Sequence, residues 1–444
     1  MHAISSVTSF SGFIMGNLRR HQRRDHPVPT DEDVRRPKVW CLGHPFERRF
    51  CRHGLRSKAV VDGENIVISA IELTRALLAF DTCNPPGLEA ESGRYLAHLL
   101  EMNGFVVETQ DFAPHRLNII ARLDGSDADA APLVLTGHLD TVPLGAAPWS
   151  RDPFNGELSD GRLYGRGVSD MKAGVAAMAC AAIRFARGPR LRRGLVLVFT
   201  SGEETGCIGA LAFANAARPL VHRASAMLVG EPTANRISTA HKGCVAVKAH
   251  TTGITAHSSM PEKGENAIYA AAQAVARIAG HVPAGRVDPL LGCATINVGM
   301  ITGGLNYNSV PDAAEFTVDV RTVPGMDHDM VHASLADLLG NAVRLERFVD
   351  MPPVGTAADH RFVGVLRDIV ADVFGSDANL EPLPIPFFSD ASVFQPLWRC
   401  PTIIIGPGEP SQAHQTDEWC EAEAIPMAVE IYARTIAAWC DHTD

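Results

Sequence analysis

Three short apolar runs constrain the fold of this chain most. Leu133–Leu135, Leu195–Thr200 and Ala226–Val229 are each too short for an ordinary helix, and each breaks off into a polar, Gly-containing string. Uninterrupted apolar runs of this length read as strands buried on both faces. The strings that follow them are GHLD, SGEETG and GEPT. In an open α/β sheet, sites form where strands end at their C-terminal edge. The first string carries His138 and Asp140, two residues apart, so an extended backbone points both to the same side.

Segments with helical spacing alternate with these runs. Asn65–Phe80, Glu91–Met102, Lys172–Ala186, Gly209–Ala217, Arg361–Phe374 and Ile425–Trp439 read as helices. Gly104–Asp111, Asn118–Leu123 and Thr402–Ile405 read as further strands. The pattern predicts an α/β fold with a mostly parallel sheet covered on both faces. Near His241 the texture changes. A strand over Lys242–Thr251, a helix over Asn266–Ala279, strands over Thr295–Ile301 and Ala314–Val320, a helix over Asp329–Leu339 and a strand over Val343–Val349 follow. That order, β-α-β-β-α-β, is ferredoxin-like. The expected organisation is a body formed by residues 61–240 plus 351–444, with an inserted α+β domain at 241–350. Residues 1–60 lack periodicity and read as a disordered tail.

Length and charge narrow the function. A chain of 444 residues has room for two domains. Its net charge of −10 argues against nucleic acid as a partner. The longest apolar runs fall short of a membrane span. The ten cysteines include no CxxC pair, which fits a reducing, cytoplasmic setting and not a disulfide framework or a Cys-ligated zinc site.

The chemistry lies in the strand ends. His138 and Asp140, the adjacent Glu203 and Glu204, Glu231, and His414 beyond GPGEPSQA all fall there, and Asp170 opens a helix at a Gly-rich turn. One histidine or one acid pair carries little weight alone; their coincidence at strand ends carries more. Two His and several carboxylates without Cys suit zinc or cobalt, and one bridging carboxylate lets such a set hold two ions. Adjacent side chains diverge, so one of Glu203 and Glu204 can bind metal while the other faces substrate as a base.

Taken together, GHLDTVP, DGRLYGRGVSDMK, TSGEETG, GEPT, AHKG, GITAHSSMPEKGENAI, GGLNYNSVPD, DVRTVPG and GPGEPSQAHQTDE resemble the M20 family of metal-dependent peptidases and amidohydrolases, in its acetylornithine deacetylase branch. The likeness runs from about residue 66 to the end. It implies a zinc-hydrolase catalytic domain with an inserted lid and dimerisation domain. It implies two Zn2+ (or Co2+) per subunit, held by His138, Asp170, Glu204, Glu231 and His414, with Asp170 as the bridge. Asp140 would orient His138, and Glu203 would be the general base. His257, from the lid or from a dimer partner, would steady the oxyanion. Asn308 and Arg321 would contact substrate. The implied partners are a small N-acyl amino acid and a second copy of the chain, with no nucleic acid and no membrane.

The implied reaction is hydrolysis of N2-acetyl-L-ornithine to ornithine and acetate, a step in arginine biosynthesis. The alternatives are a succinyl-diaminopimelate desuccinylase, an aminoacylase or a dipeptidase. A catalytically inactive binding relative is a further alternative, against which the intact ligand set with Glu203 argues. Two departures stand out. Leu139 replaces the Thr often found between His and Asp. FFSDASVF puts Asp390 where that branch tends to have Glu, an acid expected to face a substrate amine.

Overall fold

The structure, a computed structural model, describes residues 60–62 and 65–441 apart from 284 and 286. The expected tail, 1–60, lies outside the described residues but for Val60. Val60–Asp62 and Asn65–Val67 pair as a small antiparallel hairpin. The first described helix, α1, spans Ala70–Leu78 and so starts later than the expected Asn65. The reason is local: Ile66, Val67 and Ile68 are β-branched, and the Ser69 hydroxyl accepts the N–H of Glu72 as an N-cap.

In chain order the body continues with α2 (Glu89–Met102), β1 (Val106–Ala113), β2 (Arg116–Leu123) and β3 (Leu133–His138). Next come α3 (Ala173–Ile183), β4 (Leu195–Thr200), α4 (Ile208–Ala214) and β5 (Ala226–Val229). The inserted segment holds β6 (Gly243–Thr252), α5 (Ala267–Ile278), β7 (Thr295–Gly303), β8 (Ala313–Thr322), α6 (His328–Leu339) and β9 (Val343–Met351). The body resumes with α7 (Arg361–Phe374), α8 (Ala391–Trp398), β10 (Thr402–Ile404) and α9 (Ala424–Cys440).

The central six-stranded sheet has the order β10-β5-β3-β4-β2-β1. β10, β5, β3 and β4 run parallel, while β2 and β1 are antiparallel to their neighbours. Successive residues of β4 alternate between two cores: Leu195, Leu197 and Phe199 pack with α1, α2, α3, α7 and α9, whereas Val196 and Val198 pack with α4 and α8. Both faces are therefore covered, and each fully buried Leu or Val contributes about 1.5–3 kcal/mol.

α8 has no counterpart among the expected helices, since it contains Pro396. Tertiary packing sustains it: the Phe394 and Trp398 rings stack 4.9 Å apart, and both meet Phe213 edge-on.

The inserted segment forms a four-stranded antiparallel sheet, β7-β8-β6-β9, with its own core beneath α5 and α6. This is the ferredoxin-like order, and Asn266 and Asp327 cap its two helices. The chain enters and leaves side by side, because Ala240–His241 pairs with Val354–Gly355. The fold is thus a mostly parallel α/β body with an inserted antiparallel α+β lid.

Candidate metal centre

The parallel strands deliver the site. β3 ends in His138, buried at the C-terminal edge of the sheet. Gly137 beside it leaves room for the Met171 side chain, since a Cβ there would lie 2.4 Å from Met171 Cε and displace it. The His138 Nε2 atom lies 3.0 Å from Asp170 Oδ1 and 3.9 Å from Glu231 Oε1. Glu231 follows β5, which the Gly230 N–H ties to the carbonyl of Thr136 in β3.

A second group forms on the other oxygen of Asp170. His414 Nε2 lies 3.5 Å from Asp170 Oδ2 and 3.1 Å from Glu204 Oε2. His138, Asp170 and Glu231 thus converge within 4.8 Å, as do Asp170, Glu204 and His414. Asp170 is common to both groups and offers one oxygen to each.

Burial sets the electrostatics, opposed by the charge of His138 and His414. Glu203 is pushed well above the ordinary carboxyl range, first by burial and then by Glu231, Glu204 and Asp390 nearby. Glu231 is raised by burial and by Asp170. Glu204 is also raised by burial, and its Oε1 is buried without a hydrogen-bond partner. Asp170 is held low: hydrogen bonds and charge from His138 and His414 outweigh its burial. Those same bonds to Asp170 and Glu204 push His414 up to about 10. Among the described residues, no Lys or Arg pairs with any of these carboxylates.

A buried carboxylate surplus with an orphaned oxygen is the signature of a cation site. The N and O donors, without sulfur, fit zinc- or cobalt-like ions.

Asp140 is fully buried, and its role is broader than expected. The His138 Nδ1 atom lies 3.0 Å from the Asp140 main-chain oxygen and 3.6 Å from the carboxylate. The carboxylate instead accepts the N–H groups of Gly202, Glu203 and Glu204 and the Asn84 amide.

His257 and Asn308 are exposed in the lid. The His257 Nδ1 atom meets the Ser259 hydroxyl at 2.8 Å, and the Asn308 carbonyl accepts the Ser258 N–H. A strand bridge between His257 and Ser309 brings these two stretches together. Arg321 donates twice to Asp319, at 2.9 and 3.1 Å, and its guanidinium lies over the Phe388 ring. Among the described residues, neither Asn308 nor Arg321 hydrogen-bonds to the two carboxylate–histidine groups.

Asp390 does not face an open pocket: it is 2% exposed and accepts the Thr200 hydroxyl beneath the sheet edge. Two further residues support the site without having been expected to. Asn84 lies in the Pro-rich DTCNPPG turn and supports Asp140. Glu418, four residues after His414, is buried and accepts main-chain N–H groups of the turn bearing Asp170.

The sequence model of Peptidase family M20/M25/M40 matches residues 134–438. An acetylornithine deacetylase of Salmonella typhimurium is 30% identical over 402 residues, covering 85% of this chain and 100% of that protein. Among solved structures, aminopeptidase PepT of Bacillus cereus aligns with a TM-score of 0.65 at 25% identity, covering 83% of this chain and 97% of that one. An M20 family metallo-carboxypeptidase of Sulfolobus solfataricus gives 0.69 at 18% identity, covering 83% and 99%, a likeness of fold. The family match begins in the strand that delivers His138 and ends in the closing helix α9, so it takes in both carboxylate–histidine groups: the chain belongs to peptidase family M20/M25/M40 and is a metal-dependent amidohydrolase.

Proposed function

We propose that this enzyme hydrolyses the amide of an N-acyl amino acid, with N2-acetyl-L-ornithine as substrate and L-ornithine and acetate as products, a step in arginine biosynthesis. The observation that carries the substrate is the likeness to an acetylornithine deacetylase along that protein's whole length. The division of Asp170 between two carboxylate–histidine groups supports the chemistry.

In this reading His138, Asp170 and Glu231 hold one ion, and Asp170, Glu204 and His414 hold the other. Zinc is the expected metal and cobalt a substitute. Divalent ions bound there polarise the scissile carbonyl and acidify water. Glu203, with its carboxyl raised by burial, takes a proton from the attacking water and returns it to the leaving nitrogen. Asp140 orients His138 and shapes the turn that presents Glu203. His257 donates to the developing oxyanion when the lid closes or when a second copy supplies it. Asn308 lines the lid side, and Arg321, held by Asp319, receives the substrate carboxylate.

A homodimer through the lid is part of the proposal. β7 is an edge strand with Met300 and Ile301 exposed, and Leu305 and Tyr307 in the following loop are 98% and 97% exposed. Such an edge favours pairing with a second chain. Five buried free cysteines, Cys207, Cys244, Cys400, Cys420 and Cys440, support a cytoplasmic, reducing location.

A turnover comparison tests the substrate. N-acetyl-ornithine is expected to give the highest kcat/KM among N-acetyl-ornithine, N-acetyl-citrulline, N-acetyl-methionine, N-succinyl-diaminopimelate and a dipeptide. A higher value on the succinyl compound, on N-acetyl-methionine or on the dipeptide would transfer the assignment to a desuccinylase, an aminoacylase or a dipeptidase.

A further inference from the structure

Glu418 joins the two loops that meet at the second carboxylate–histidine group. Its Oε2 accepts the Arg166 guanidinium and the Gly167 N–H, each at 2.8 Å. Its Oε1 accepts the N–H groups of Ser169 at 2.8 Å and Asp170 at 3.1 Å. Consecutive main-chain N–H groups in a turn form an anion-binding concavity. Here the chain's own buried carboxylate fills it, from some 250 residues away in sequence. The main chain joins the clasp, since Gly165 N–H donates to the Glu418 carbonyl at 3.0 Å.

Ser169 completes it from the other side. Its hydroxyl donates to the Trp419 carbonyl at 2.7 Å and accepts the Glu409 N–H at 2.9 Å. Both ends of the 409–419 loop are therefore stitched to the turn that presents Asp170, and His414 rides on that loop. The His414 side chain is half exposed, and among the described residues its Nε2 pairs with Asp170 and Glu204. By contrast, His138 and Glu231 are set by the sheet itself, through β3 and β5.

We infer that Glu418 is a positioning residue that sets the spacing of Asp170 and His414, and thereby the affinity of the second ion relative to the first. The inference rests on the two-ion reading proposed above. In the group formed by Asp170, Glu204 and His414, two of the three donors depend on Glu418. In the group formed by His138, Asp170 and Glu231, only Asp170 does. Neutralising Glu418 therefore separates the two ions in affinity, which a general loss of structure would not do. Glu418→Gln keeps the shape but offers an amide N–H where main-chain N–H groups already point, so one edge of the concavity loses its acceptor.

The test is a Zn2+ titration of the full chain, stripped with a chelator and competed against a chromophoric chelator, with thermal melting followed by circular dichroism. The wild type is expected to bind two ions. Glu418→Gln is expected to leave the first ion unchanged and weaken the second about 10- to 100-fold. Ser169→Ala, which cuts the same clasp from its other side, is expected to shift the second ion in the same direction by less. Glu421→Gln, which changes an exposed acid three residues further on that pairs with Arg162, is expected to match wild type. Co2+ absorption read during a parallel titration should show the second binding phase lost first.

Two ions bound by Glu418→Gln with wild-type affinities, or both weakened equally in a natively melting chain, overturns the inference while leaving the two-ion reading intact. A wild type that binds one ion or none overturns both. Should Glu418→Gln fail to fold, Ser169→Ala decides: an unchanged second ion there overturns the inference.

Discussion

The Asp140 carboxylate accepts the main-chain N–H of Glu203 at 3.1 Å. A side chain at the end of β3 thus organises the turn at the end of β4. The same carboxylate accepts Gly202 at 2.8 Å and Glu204 at 3.2 Å, so the proposed base and a proposed metal ligand hang from one buried acid. Asp140→Asn would turn an amide N–H toward main-chain donors. Activity is expected to fall about 10- to 100-fold, with weaker metal binding in both groups. Kinetics alongside a metal titration checks this, and wild-type values for both would show that the turn holds without Asp140.

Glu203→Ala is expected to reduce kcat by about 10²- to 10⁴-fold while metal content stays near wild type. Mass-spectrometric metal analysis of the purified variant, beside turnover, reads both. Loss of metal in place of turnover would exchange the roles of Glu203 and Glu204.

His257→Ala is expected to lower kcat by about 10²- to 10³-fold with metal content unchanged, because an oxyanion donor acts only in the transition state. An unchanged kcat would remove His257 from the mechanism.

Asp390 supplies a pH prediction. Burial pushes its carboxyl up to about 6, against donation from Thr200 and the charge of His138. A carboxyl raised in the folded chain favours its neutral form there. Its contribution is therefore fully present below the ordinary value of 3.8 and is lost as pH rises through about 6. Asp390→Asn keeps an acceptor for Thr200 and removes the buried charge. In the metal-stripped chain it is expected to add stability on the order of 2 kcal/mol at pH 8, with a smaller gain at pH 5. Melting temperatures of both chains at the two pH values check it. A gain that grows toward acid would contradict the assignment.

Chelation should abolish hydrolysis, and Zn2+ or Co2+ should restore it. Unchanged turnover in the stripped enzyme would refute a metal mechanism.

Much of the architecture was legible because it is locally encoded. Leu195–Thr200, Ala226–Val229 and Arg361–Phe374 have the same bounds in the structure as in the sequence reading. Apolar runs and helical periods need no distant partner to declare themselves. Structure and expectation part where local signals compete. The β-branched residues before Ser69 moved the start of α1, and a helix containing Pro396 was hidden because aromatic stacking on Phe213 sustains it.

The sequence by itself determined most of the elements, their α/β order, the inserted ferredoxin-like segment and the polar strand ends where His138, Asp140, Glu203 and Glu231 sit. These follow from short-range chemistry. Only the tertiary structure decided which oxygens meet which nitrogens. Asp170 is shared between His138 and His414, Arg321 is engaged by Asp319, Asp390 is buried against Thr200, and Glu418 grips the turn that presents Asp170. Apart from the Asp319–Arg321 pair, which lies within β8, each depends on how separate segments dock, some of them more than a hundred residues apart. Spacing along a strand or helix carries no information about that docking. The stretch His138–Asp170 therefore names the chemistry, while the loop bearing His414 and Glu418 completes the geometry from the far end of the chain.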